Sequence, residues 1–140
     1  WKKIFLRKKQ PPVVFQPWQA HERAYALLDE LRRKGLLEKN MLKQFYSELS
    51  DILRHYLEDR FDLKAPEMTT EEFLVFVREY SRMDRGQKDI LKEFLTNCDL
   101  VKFARYLPAQ GDGEAAFDIV GKFIDHTKAS DAAVPAPAGK

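Results

Sequence analysis

Asp51 and His55 stand four residues apart, a spacing that puts both side chains on one face of a helix and within reach of a single metal ion. A first-row metal wants a third and a fourth ligand, and no spacing elsewhere in the chain supplies them. His21 and His126 fall in other segments. The pair therefore reads as a solvated carboxylate and imidazole. Carboxylates also gather at Glu58, Asp59, Asp62 and Glu67, which in a pocket could hold a cation or divide acid and base roles. Arg54, Arg60 and Lys64 are interleaved with them, so a charged, solvated surface is the plainer reading. Cys98 stands beside Asp99, whose charge does not favour a thiolate. Ser47 and Ser50 lie inside a helical pattern, away from any strand-to-helix elbow. Gly111-x-Gly113 lacks the preceding strand and the Lys-Ser/Thr pair of a phosphate loop. No catalytic residue, cofactor motif or metal set emerges, and the chain reads as non-enzymatic.

The elements that must carry these residues are helical. Ala24, Leu27, Leu28 and Leu31 form one stripe over about 18–34, closed by Gly35. Leu42, Phe45, Tyr46, Leu49, Ile52, Leu53, Tyr56 and Leu57 recur at three- and four-residue spacing, predicting a long central helix over 41–60. Thr69 and Glu72 make a capping box with Met68 and Phe73 as a hydrophobic staple, so a third helix is expected over 70–82. A fourth is expected over 84–96 with Ile90, Leu91, Phe94 and Leu95 inward, then a turn at Asn97-Cys98-Asp99 and a short helix over 100–106. A last helix runs from about Gly113 to Lys128 with Ala116, Phe117, Val120, Phe123 and Ile124 on one face. The expected fold is an all-α, single-domain bundle of five main helices plus one short helix, spanning 18–128.

Composition bounds the function. Hydrophobic content of 44% with 33% charged residues is that of a globular domain able to bury a core. A single cysteine excludes an internal disulfide framework and a cysteine zinc site, and suits a reducing compartment. No run approaches the roughly 18 apolar residues of a membrane span, and no secretory signal is visible. Residues 1–9 carry Lys2, Lys3, Arg7, Lys8 and Lys9 with no acid; removing these five from 24 basic residues leaves 19 against 22 acidic ones. Trp1 followed by that cluster matches the cytoplasmic exit of a transmembrane helix, the alternative being a basic leader with no membrane role. Residues 10–17 form a proline-punctuated linker, and 129–140 a low-complexity tail expected to be disordered.

Two rivals come from other classes. The segment from Thr70 to Arg105 could supply a helix-turn-helix, but Lys88 and Lys92 are mixed with Asp89 and Glu93, so no strongly basic recognition helix stands out. The first rival is thus a DNA-binding regulator; the second is a small metal-dependent enzyme built on Asp51 and His55.

Three phrases carry a resemblance: HERAYALLDELRRKGLLEKN at 21–40, QFYSELSDILRHYLEDRFDLKAPEMTTEEFL at 44–74, and DLVKFARYLP at 99–108. Together they are similar to the cytoplasmic C-terminal region of bacterial BatD-type aerotolerance proteins, single-span membrane proteins found beside MoxR-type AAA+ ATPases and von Willebrand A proteins. The resemblance covers about 20–127 and supplies no catalytic residue. It implies a helical module on the cytoplasmic face of the inner membrane, held by a preceding membrane helix, with the ATPase and the von Willebrand A proteins as partners in stress tolerance or complex maturation. On that reading the partner-binding positions are Arg54, Glu58, Arg60 and Lys64 at the charged corner, with Lys102 and Arg105 on the short helix. No nucleic acid, small-molecule substrate or cofactor is implied.

Overall fold

The computed structural model describes residues 17–129. The expected juxtamembrane segment with its membrane-proximal residues, nearly all of the linker and the tail lie outside the described residues. Five helices make an all-α bundle: α1 (Pro17–Arg33), α2 (Leu42–Phe61), α3 (Thr70–Arg78), α4 (Arg85–Phe103) and α5 (Asp112–Thr127), with a 3₁₀ turn at Ala65–Glu67 between α2 and α3.

The long α2 is the centre. It packs on α1, α4, α5 and the 3₁₀ turn. Its expected stripe is buried from Phe45 through Leu57, with Leu42 packed at the edge. Complete burial of a Leu such as Leu49 or Leu57 stabilises the fold by about 1.5–3 kcal/mol. Asp62 ends the helix in the left-handed region, and its N–H donates to Glu58 O at 2.9 Å. Polar bonds tie α2 to α5. Thr127 Oγ1 donates to Phe123 O at 2.8 Å, so the Tyr56 hydroxyl, also 2.8 Å away, must donate to Thr127 Oγ1. Arg60 Nε donates to Thr127 O at 2.8 Å. On the far side of α5, the Tyr25 hydroxyl of α1 donates to the Asp125 carboxylate.

The corner after α2 forms as its sequence requires. Phe61, Leu63 and Ala65 are buried. Thr69 Oγ1 accepts from Glu72 N at 3.1 Å while Glu72 Oε1 accepts from Thr69 N at 3.0 Å, a complete capping box. A second box, Asp84 with Gln87, starts α4.

Two boundaries and one inward position differ from expectation. α3 stops at Arg78, short of Arg82. Leaving the helix there lets Tyr80 lay its ring edge-on to Phe61, 6.1 Å between centroids, and lets Met83 enter the core. α4 does not break at Asn97-Cys98-Asp99 but runs on to Phe103, absorbing the start of the expected short helix. The reason is tertiary. Leu91, Phe94, Leu95, Cys98 and Val101 form one continuous buried stripe, and that packing outweighs the turn preference of Asn and Asp. Ile90, expected inward, is exposed because it lies outside that stripe.

Candidate interaction face

Of the positions expected to meet a partner, Arg54 is corrected outright. It is 8% exposed and fully engaged inside the molecule. Its Nη1 donates to Ala65 O at 3.1 Å and Met68 O at 2.9 Å, Nη2 to Thr70 Oγ1 at 2.6 Å, and Nε to Ser50 Oγ at 3.3 Å. The guanidinium fork satisfies carbonyls of the 3₁₀ turn and fastens the α2–α3 corner to α2, so it is unavailable to another protein. Arg60 is half-buried, spent on Thr127 O and lying over the Phe61 ring at 4.7 Å. Glu58 is half-buried and Lys64 exposed, and the structure does not gather them into a site with Arg54. Arg105 is exposed with a φ of 58°, just past the end of α4, and Lys102 lies over the Phe103 ring at 5.1 Å.

The candidate chemistry disperses in the same way. His55 Nδ1 is 2.8 Å from Asp51 O; a carbonyl only accepts, so Nδ1 carries the proton and donates to the backbone, with the Asp51 carboxylate uninvolved. Asp59 faces Arg23 at 3.8 Å; burial raises its carboxyl above the usual range, partly offset by Arg23 and His55. Among the described residues no group of three or more His, Cys, Asp or Glu could hold a metal ion, and no helix is long and apolar enough to cross a membrane. Cys98 is fully buried, and that burial pushes its thiol up to about 12.

What the structure does bring together is a groove between α3 and α4 of about 670 Å³. Leu74, Val75 and Val77 of α3 form its apolar side. Arg78 at the end of α3 and Arg85, Lys88 and Lys92 of α4 supply cations, against the one acid Asp89. Lys88 Nζ donates to Arg78 O at 3.1 Å, spanning from α4 to the C-terminus of α3. No ion pair or hydrogen bond engages the side chains of Arg78, Arg85 or Lys92 among the described residues, whereas Arg32, Arg33 and Lys34 each meet a carboxylate.

The face continues past the groove. Helical spacing aligns Arg85, Asp89, Lys92, Thr96 and Phe103 along the outer side of α4, opposite the buried stripe, with Leu100 beside the line. Phe103 is 73% exposed and Leu107, in the link to α5, 80%. Leu100 and Tyr106 are exposed as well, and Val75 on α3 is 56% exposed. Sequence reasoning read Lys88 and Lys92 as diluted by Asp89 and Glu93. The available signal was angular: Arg85, Lys88 and Lys92 follow three- and four-residue spacing, while Glu93 falls about 100° around the helix from Lys92.

No family model matches the sequence, and neither a curated protein nor a solved structure does.

Proposed function

We propose that this chain is a non-catalytic protein-interaction module, the cytoplasmic helical domain of a BatD-type membrane protein that works with a MoxR-type AAA+ ATPase and von Willebrand A proteins. One observation carries the interaction reading. The outer side of α3 and α4 joins an open groove, cations without partners among the described residues and the exposed Phe103, with the exposed Leu107 in the link that follows. Exposed large apolar residues beside a charged groove are what a docking surface needs. The named partners rest on the resemblance of residues 21–40, 44–74 and 99–108. The reading places stress tolerance or complex maturation in the partners' hands, with this domain as the docking element.

The test is binding of the 140-residue chain to the ATPase and the von Willebrand A proteins of the same genome, with ATP and with ADP. Saturable binding at micromolar concentration or tighter, weakened by Lys92→Glu or Phe103→Ser, is the expected result. Absence of binding to every candidate in both nucleotide states would overturn the reading.

A further inference from the structure

We infer that the α3–α4 groove receives an acidic amphipathic helix of a partner protein, one that sets two carboxylates against Arg85 and Lys92 and apolar side chains against Leu74 and Val75. This deepens the interaction reading and rests on it.

Charge is the first argument. Within 17–129 there are 18 basic and 21 acidic residues, yet the groove is lined by four cations and one acid. A concave cationic site on a segment with more acidic than basic residues focuses its field and selects a ligand of opposite charge. Three of the four cations have no partner among the described residues, so a carboxylate from outside displaces only water there.

Apolar surface is the second argument, and it chooses among anions. Leu74, Val75 and Val77 lie alongside the cations, and Val75 is more than half exposed. A phosphate backbone or a lipid headgroup would meet the cations and leave that wall in water. A helix with one acidic edge and one apolar edge covers both. The volume of about 670 Å³ admits a few side chains rather than a folded domain.

Register is the third. Arg85 and Lys92 are seven residues apart, about 10 Å along α4. A helix lying beside α4 matches them with carboxylates at i and i+7. Asp89 stands between them and repels a carboxylate midway, so the partner's intervening positions are apolar toward α3 and neutral or basic toward Asp89. The chain's own outer segments do not meet this requirement. Residues 1–9 carry five cations and no acid, 10–16 carry no charge, and 130–140 hold one Asp and one Lys. None of these segments is therefore the occupant we infer.

The test uses the 140-residue chain and a labelled synthetic helix of about 18 residues, roughly 27 Å long, with Glu at i and i+7 and Leu at i+3 and i+4. Fluorescence anisotropy should give saturable binding that weakens as salt rises from about 50 to about 300 mM. Arg85→Glu with Lys92→Glu should weaken it roughly tenfold or more, the uncharged Val75→Ser should weaken it as well, and Lys122→Glu on α5 should leave it unchanged. A peptide with Lys in place of both Glu should regain affinity for the double variant. All substitutions are at exposed positions, and unaltered circular dichroism checks the fold. Equal binding of a scrambled acidic peptide, or no effect of Val75→Ser, overturns the proposal in favour of bare charge. Tighter binding of duplex DNA or phosphatidylserine vesicles, lost in the same double variant, overturns it in favour of a phosphate ligand. If the ATPase or a von Willebrand A protein binds and the double variant does not weaken it, the groove proposal fails while the interaction module stands.

Discussion

Arg54 shows how a residue that reads as surface becomes an internal fastening. The charged Asp51 and Glu58 stand three residues before and four after it, and all its partners but Ser50 lie 11, 14 and 16 residues onward, beyond the reach of any helical spacing rule. Only the fold of the corner brings Ala65 O, Met68 O and Thr70 Oγ1 to one guanidinium. Removing it takes the guanidinium donor from Met68 O and Thr70 Oγ1 and leaves Ala65 O with the Met68 N–H alone, so Arg54→Ala should destabilise the fold by about 2–4 kcal/mol. Arg54→Lys should recover only part, since one ammonium cannot reproduce the planar fork. Urea unfolding measures both, and a loss below about 0.5 kcal/mol for Arg54→Ala would show the corner does not need the fastening. Alkaline behaviour is also decided by single residues. Burial pushes both the Cys98 thiol and the Tyr46 hydroxyl up to about 12, and the latter has no hydrogen-bond partner among the described residues. Unfolded, these groups titrate near about 8.5 and 10. Above those values the native state holds protons the unfolded chain has lost, so stability is whole below about pH 8.5 and falls as pH rises toward about 12. The urea midpoint should drop between about pH 8 and pH 11, less steeply in Cys98→Ala.

At the scale of the element, the legible signals were those whose cause is local. Thr69 and Glu72 announce a helix start because each supplies what the other's backbone lacks, within four residues. The same logic makes Asp84 and Gln87 a start signal. Thr69→Ala and Asp84→Ala should each cost about 1 kcal/mol. Since the two boxes share no partner, the double variant should sum to about 2 kcal/mol within a few tenths. A marked shortfall in the double variant, read from urea midpoints, would mean that α3 and α4 start as one unit. The continuity of α4 was not legible. Asn97 and Asp99 favour turns in isolation, and only the α2 and α5 surfaces around Cys98 keep the helix going. The early end of α3 was hidden for a related reason, since Tyr80 and Met83 leave the helix to reach residues distant in sequence.

For the whole molecule, the all-α class and the central place of α2 follow from apolar periodicity, a property of the sequence itself. The cationic groove does not. It arises where the end of α3, carrying Arg78, is laid beside the start of α4, carrying Arg85, and the net charge of the chain conceals it. The buried stripe of α4 has one more consequence, and it concerns time. Cys98 is the sole thiol, and it is sealed where α4 meets the rest of the bundle. Any thiol reagent must wait for α4 to lift. At high reagent concentration the labelling rate should level off at the rate of that opening, and at low concentration it should scale with the population of opened molecules. A plateau equal to the global unfolding rate would make the bundle a single kinetic unit; a faster one would mark α4, and with it one wall of the groove, as a part that opens alone.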